Sequence, residues 1–385
     1  MAIAETREAS HRTERVDLAV VGAGIVGLSL AVDAVERGLS VLVIERDGHA
    51  SGASIRNFGH GYFTAQAGAA REAALEARRR WRRLALAAGF WLVESGSMLL
   101  ARSPEEIAVI EEFAAERPDE AEILAADEVA RRVPVASDGL LGALWTPNDC
   151  RMDPREAIPA LTDWLARQPG VRFEWGTAAL GVEPGRLHTS RGEVAAGAIA
   201  IAAGHDLDRL APSVAAAAGM RRCILQMLRV APPDDRPIEP ALATGLALLR
   251  YRGFAECPSL PAVRDRLERE RPDLVAADVN LLITQRPDGD LVVGDTHRYA
   301  LTPTPFRDEA LDRLLLDEAR ALLGSRPLAV RERWLGVYAH SPHDEFLVAP
   351  IDRGVRAVAV TSGIGMTTAL GLAPRVLDQL LAEAS

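Results

Sequence analysis

The sequence predicts an α/β fold joined to an α+β part: a Rossmann-like dinucleotide-binding domain with an antiparallel-sheet domain inserted through it. Three observations predict it. A β-turn-α-β unit with three spaced glycines opens the chain at Val16 to Glu45. Mixed β segments fill the middle. A β-run, a second glycine-rich turn and a helix close the chain after Val355. The two glycine-rich turns lie at opposite ends of the sequence. If both face one ligand, the nucleotide domain is discontinuous.

The opening unit reads VDLAVVGAGIVGLSLAVDAVERGLSVLVIE. Val16 to Val21 is an apolar β-run. Gly22, Gly24 and Gly27 stand in G-x-G-x-x-G register before a helical stretch from Ile25 to Arg37, and Val41 to Ile44 forms a second β-run. Gly22 permits the tight turn, Gly24 lets a pyrophosphate approach the backbone, and Gly27 lets the helix pack on the strand. The helix N-terminus offers unpaired N–H groups and a positive dipole end to phosphates. Glu45, at the second strand's end, can accept hydrogen bonds from ribose hydroxyls. This unit alone leaves NAD and FAD open.

Arg46 to Gly61 is a long loop dense in Gly, Ser and Asn, a length more often functional than not. Gln66 to Gly89 reads as a helix and Phe90 to Leu100 as a strand pair or hairpin. Pro104 to Arg117 reads as a helix with Ser103 as N-cap, and Ala126 to Arg132 as a short helix. Leu140 to Trp145 reads as a strand. Asp153 and Pro154 start a helix running to Gln168. Val171 to Trp175, Arg186 to Thr189, Ala198 to Ala203 and Arg222 to Val230 read as strands. Leu246 to Tyr251 and Val279 to Gln285 are expected strands around a charged helical insert. Asp288 to Asp290 reads as a hairpin turn. Asp308 to Leu323 is an amphipathic helix, Arg331 to Tyr338 a strand, and Thr367 to Ala384 the closing helix.

Composition narrows the function classes. The chain has 385 residues, room for one large or two ordinary domains. Its net charge of −10 argues against broad nucleic-acid binding, although a local arginine cluster can still grip an anionic substrate. All 44 basic residues are arginine, which excludes a lysine Schiff base. Cys150, Cys223 and Cys257 are far apart and form neither a metal site nor a disulfide framework, so a reducing cytoplasm is the expected setting. Met1 to Arg15 is polar, lacks a signal-peptide core and reads as a loose tail. No apolar run is long enough to span a membrane.

Four stretches resemble the D-amino-acid oxidase-type flavoprotein family, which includes glycine oxidase and sarcosine oxidase. They are VVGAGIVGLSLA with Glu45, GASIRNFGHG at 52–61, IAIAAGHD at 199–206 and TSGIGMTTALGLA at 361–373. The resemblance implies a glutathione-reductase-like FAD domain assembled from 16–90, 146–218 and 331–385. The substrate domain is then 91–145 and 219–330. It further implies non-covalent FAD: no cysteine precedes the C-terminal turn closely, and only His49 and His60 remain as attachment points in the early loop. The cofactor contacts it implies are Gly22, Gly24, Ile25, Val26, Gly27, Glu45, Arg46, Ser51, Ala53, Ser54, Asn57, Gly59 and His60. Later in the chain they are Ala179, Ala203, Gly204, Gly363, Gly365, Met366 and Thr367. A helix starting at Gly365 to Thr367 would aim its dipole at the flavin edge that gains charge on reduction.

SIRNFGH, CILQMLR, LLITQRPDGDLVVGDTHRY and RWLGVYAHSP resemble, more narrowly, a subgroup associated with phosphonate catabolism. This implies oxidation of a small aminophosphonate related to 2-aminoethylphosphonate, with or without an N-methyl group, and O2 as electron acceptor. One departure matters. Amine-oxidising relatives carry an arginine in a G-x-R-P segment to bind the substrate carboxylate. Here the segment is Gly336-Val337-Tyr338-Ala339, with Tyr338 in the arginine's place. An anion must then be gripped elsewhere: Arg56, Arg250, Arg252, Arg298, His297, His340 and His343 are candidates. Arg56, Gln226, Tyr251, His297 and Tyr338, with Met227, are the expected pocket residues. The alternatives are a glycine- or sarcosine-like substrate, a dehydrogenase passing electrons to another carrier, a flavin-containing binding protein without turnover, and an NAD-dependent dehydrogenase.

Overall fold

The structure, a computed structural model, describes residues 15–384. The tail expected at the N-terminus therefore lies, apart from Arg15, outside the described residues. Two large sheets organise the rest.

The first has eight strands among the described residues. Its parallel centre sets Val355–Val360, Gly192–Ile201, Val16–Val21, Val41–Glu45 and Val171–Trp175 side by side. Three of these strands, Val16–Val21, Val41–Glu45 and Val355–Val360, are mostly apolar because both faces are covered. Val355–Val360 is buried throughout, and Val41 to Ile44 are fully buried. The helices Ile25–Glu36, Gly68–Ala88, Pro154–Ala166 and Gly365–Ala384 bury Leu28, Trp81, Leu161 and Leu370 in one cluster against it. Local chemistry starts and stops these helices. Asp153 accepts from the Arg155 N–H at 2.9 Å with Pro154 in the first turn, and Gly89 ends Gly68–Ala88 at φ +77°. Ser103 caps Pro104–Glu116 in the same way, accepting from Glu106 N at 3.2 Å. Gly27 sits where any Cβ would lie 1.9 Å from the Gly22 carbonyl oxygen, so only glycine lets this helix meet this strand.

The second sheet has nine strands among the described residues and is mostly antiparallel. Its spine is the pair Arg221–Val230 and Val330–His340, in register from Arg221 opposite His340 to Arg229 opposite Glu332, after which a bulge sets Val230 opposite Val330. Val330–His340 pairs along its length with Arg221–Val230 and so lies in this sheet, while Phe346–Asp352 after it joins the first sheet.

Two further expectations change. Leu92–Val93 and Ser97–Ala101 are not a hairpin: the first pairs with Cys150–Met152, the second with Gly142–Thr146 and Ala241–Thr244. Gly245–Leu249 is a 3-10 turn rather than a strand, and Arg250 follows it directly. Arg222, 5% exposed, ties this sheet to the segment after Ile201 through ion pairs to Asp206 (3.0 Å) and Asp208 (2.7 Å).

Candidate active site

A cavity of about 520 Å³ runs from the first glycine turn to the nine-stranded sheet. At its first end, Gly22 takes φ +104° and turns the chain from strand to helix. A Cβ on Gly24 would lie 3.1 Å from Ser54 Oγ, so glycine keeps this wall open. Ser54 Oγ accepts from Ile25 N at 2.8 Å and so caps the helix while facing the cavity. The other first-turn N–H groups have no partner within the helix. Glu45 is fixed as an acceptor by Ala23 N (2.9 Å) and Asp47 N (3.1 Å), with Arg46 beside it paired to Asp206 at 2.6 Å.

The C-terminal turn supplies the second wall. Gly363 takes φ +80° and lies against Tyr338, whose ring a Cβ would meet at 3.1 Å. Gly365 begins the 20-residue closing helix. Trp81 Nε1 donates to the Met366 carbonyl at 2.7 Å and locks the turn from beneath. Ser362 Oγ is buried, unpartnered and at the cavity wall.

The far end is polar. Arg250 donates to the hydroxyls of Tyr338 and of Tyr299, the latter at 3.1 Å. Its nearest carboxylate is Asp278, at 4.0 Å. Arg56 lines the same cavity and donates to the Leu335 carbonyl at 3.4 Å. Asp295 and Asn280 exchange backbone hydrogen bonds of 2.9 Å each, and both residues line the cavity. His297 directs Nδ1 at the Asp278 carbonyl (2.7 Å), so Nδ1 carries the proton and Nε2 is bare. Burial holds His297 well below the ordinary histidine range, hence neutral. Burial likewise pushes Asp295 up to about 8 and Tyr251 up to about 12. His60, bonded through Nε2 to Ser97 Oγ at 2.6 Å and stacked on Tyr62, is pushed down to about 3 by burial.

The cavity thus gathers Gly22, Gly24, Ile25, Val26, Glu45, Arg46, Ser51, Ala53, Ser54, Asn57, His60, Ala179, Ala203, Gly204, Gly363, Gly365, Met366 and Thr367, with Arg56, Tyr251, His297 and Tyr338. Four expected residues stand outside it. Gln226 turns to the opposite face of its strand, where Nε2 donates to Asp308 O and Asp312 Oδ1 (2.9 and 2.5 Å) and Oε1 accepts from Asp308 N. Met227 is fully buried with Cys223, Leu225 and Val292. Gly27 serves helix packing, and Gly59 lies against Met152, whose carbonyl oxygen a Cβ would meet at 1.8 Å. Asn57 lines the cavity but spends its amide on the Ala53 and Ser54 carbonyls and the Gly59 N–H.

Among the alternative anion grips, Arg252 and Arg298 are 55% and 59% exposed beside carboxylates. His340 packs at a tilt against the Tyr299 ring and His343 is exposed, both away from the cavity. Asn280 and Tyr62 also line the cavity, and as polar groups among apolar neighbours they carry no sequence signal for it.

Comparison with protein families matches residues 17–379 to DAO, described as FAD dependent oxidoreductase. The chain belongs to this family. Solved structures with the same fold include L-proline dehydrogenase from P. horikoshii (19% identity, TM-score 0.77, covering 96% of this chain and 94% of that one). Glycine oxidase from Bacillus cereus is another (18%, 0.76, 96% and 98%). L-α-glycerophosphate oxidase from Mycoplasma pneumoniae with FAD bound is a third (15%, 0.74, 96% and 95%). No curated protein sequence matches.

The family's FAD fits this cavity. Its two walls each end in a helix N-terminus, Gly24 leaves room for close approach of a pyrophosphate, and Glu45 is held as an acceptor. The unpartnered Ser362 Oγ offers a further polar contact. No helix is long and apolar enough to cross a membrane, and no cluster of metal-ligating side chains occurs among the described residues.

Proposed function

We propose that the chain is an FAD-dependent amine oxidase whose substrate is a small amine carrying an anion, an aminophosphonate related to 2-aminoethylphosphonate, with or without an N-methyl group. The chemistry FAD would supply there is acceptance of a hydride, one proton with two electrons, from the carbon next to nitrogen. The imine left behind hydrolyses to an aldehyde plus an amine or ammonia. O2 is the proposed electron acceptor, and the flavin is held without a covalent bond.

Arg250 carries this reading. Arg222, buried in the nine-stranded sheet, is paired tightly with the Asp206 and Asp208 carboxylates. Arg250 instead rests on two neutral hydroxyls. Its charge is therefore free for a ligand anion. Arg56 lines the same cavity with no carboxylate in ion-pair range among the described residues, and two cations suit a phosphonate dianion. Tyr338 contributes by orienting Arg250. The cation absent from the 336–339 segment is in this way supplied from the segment after Leu249.

A carboxylate analogue, glycine- or sarcosine-like, is the second reading, because Arg250 alone matches a single negative charge. An anaerobic screen following loss of flavin absorbance separates the two. Fast bleaching by aminoethylphosphonates supports the proposal. Fast bleaching by glycine or sarcosine, with none by the phosphonates, rejects the phosphonate in favour of the carboxylate. Peroxide formed per turnover tests O2 as the acceptor.

A further inference from the structure

We propose that Asp295 is the base that takes the proton from the substrate's ammonium group, with Asn280 Oδ1 beside it as a second acceptor for that group. The assignment rests on the amine reading above and names the group that prepares the amine.

The two side chains form a small acceptor pair at the polar end of the cavity. Asp295 and Asn280 are each 4% exposed, and their backbones are clamped together by the reciprocal hydrogen bonds already described. Asp295 Oδ1 and Asn280 Oδ1 are both buried without a hydrogen-bond partner, and both residues line the cavity. Buried acceptors left unpaired are costly, so such a pair points to a donor that arrives with a ligand. An ammonium group brings up to three N–H donors and a positive charge.

The surroundings favour proton transfer over a lasting ion pair. His297 Nε2, which lacks a proton, faces Asp295 Oδ2 at 3.8 Å. Two lone-pair groups facing each other favour a proton on the carboxyl. The Asp278 carboxylate acts in the same direction, and Arg250 opposes it. Tyr251 and Cys223 also feel the Asp295 charge, and His340 acts on His297. Burial dominates and favours the neutral acid.

An ammonium ion meeting the Asp295 carboxylate therefore gives a neutral amine and a neutral acid. One N–H bond breaks, one O–H bond forms at Oδ1, and the electron pair stays on nitrogen. That pair then stabilises the adjacent carbon as it is oxidised, with the family's FAD as oxidant. Arg250 on the anion and Asp295 on the amine make the two ends of the substrate distinguishable.

The test uses the FAD-loaded enzyme and a reducing amine, with Asp295→Asn as the variant. In wild type, the second-order rate constant for anaerobic flavin reduction rises with pH through about 8. The variant is slower by roughly 100-fold or more at the wild-type plateau, and its rise moves to the amine's own pKa. Independently of turnover, infrared spectra of the substrate-free enzyme show a protonated carboxyl band that titrates near pH 8 and is missing in the variant. An unchanged rate and pH limb in the variant overturn the assignment. If Asp295→Asn does not fold, the wild type decides: a flat profile between about pH 6 and pH 9 overturns it, and a limb together with the carboxyl band supports it. Reduction by an amine with a flat profile removes the base alone. Reduction by no amine removes the amine reading and Asp295's role with it.

Discussion

Replacing Arg250 with methionine keeps the reach of the side chain and removes its charge. If Arg250 grips the substrate anion, the loss is that of one partner from a buried, charge-assisted contact. Such losses cost about 2–5 kcal/mol. At about 1.4 kcal/mol per tenfold, the substrate dissociation constant rises roughly 30- to 4,000-fold. The anion is not the reacting end, so this binding energy is shared by ground and transition states, and the limiting reduction rate changes little. Stability falls modestly. The Tyr338 hydroxyl loses its arginine partner, at about 1–3 kcal/mol, while Tyr299 keeps its bond to Asp278 at 2.9 Å. The assay is anaerobic stopped-flow reduction over a range of substrate concentrations, which separates the dissociation constant from the limiting rate. Arg250→Lys should recover part of the affinity. A dissociation constant within about threefold of wild type in Arg250→Met would refute the reasoning, because a desolvated charge contact cannot be worth so little.

Glu45→Gln keeps the shape but weakens the acceptor held by Ala23 N and Asp47 N, so the apoprotein should bind FAD roughly tenfold less tightly in a fluorescence titration. Gly371→Ala would press a Cβ to 1.9 Å from the Ala73 carbonyl oxygen between two packed helices; the expected melting temperature is lower by several degrees, reflecting an overpacking cost of about 1–3 kcal/mol. Trp81→Phe leaves the Met366 carbonyl without its donor, costing about 1–3 kcal/mol and loosening FAD binding at the C-terminal turn. Asp295 has a folded-state pKa near 8, above the ordinary value of 3.8, so the folded state holds the extra proton between these limits. Its contribution to stability is present in acid and lost as pH rises through 8; melting curves of Asp295→Asn should therefore fall less than wild type between about pH 5 and pH 9.

The parts of this fold legible in the sequence are those where backbone geometry restricts the residue. The opening glycines are required by a turn at φ +104° and by a helix that touches a strand at Gly27. Apolar runs such as Val41 to Ile44 announce a strand covered on both faces. Asp153-Pro154 marks a helix start through capping chemistry that acts within two residues. Strand pairing carried no comparable local signal. Leu92–Val93 and Ser97–Ala101 look like a hairpin because they are near in sequence, yet each finds a remote partner.

The polar end of the cavity was the least legible, for two physical reasons. Side chains alternate across a strand, so choosing Gln226 instead of Leu225 selects the face that packs on the helix Glu309–Leu322. Arg250 and Asp295 come from separate segments and meet only in three dimensions. No spacing rule marks Arg250, which follows a 3-10 turn that resembles a strand in its apolar content. Its significance comes from what is missing around it, a close carboxylate, and no sequence pattern records that.

The most direct measurement compares anaerobic flavin reduction of the wild-type enzyme by 2-aminoethylphosphonate and by a neutral amine of similar size. An anion gripped by Arg250 predicts fast, saturable bleaching by the phosphonate and an apparent affinity at least tenfold weaker for the neutral amine, from a contact worth more than about 1.4 kcal/mol. Equal reduction by both amines would contradict the central claim, because Arg250 would then play no part in choosing the substrate.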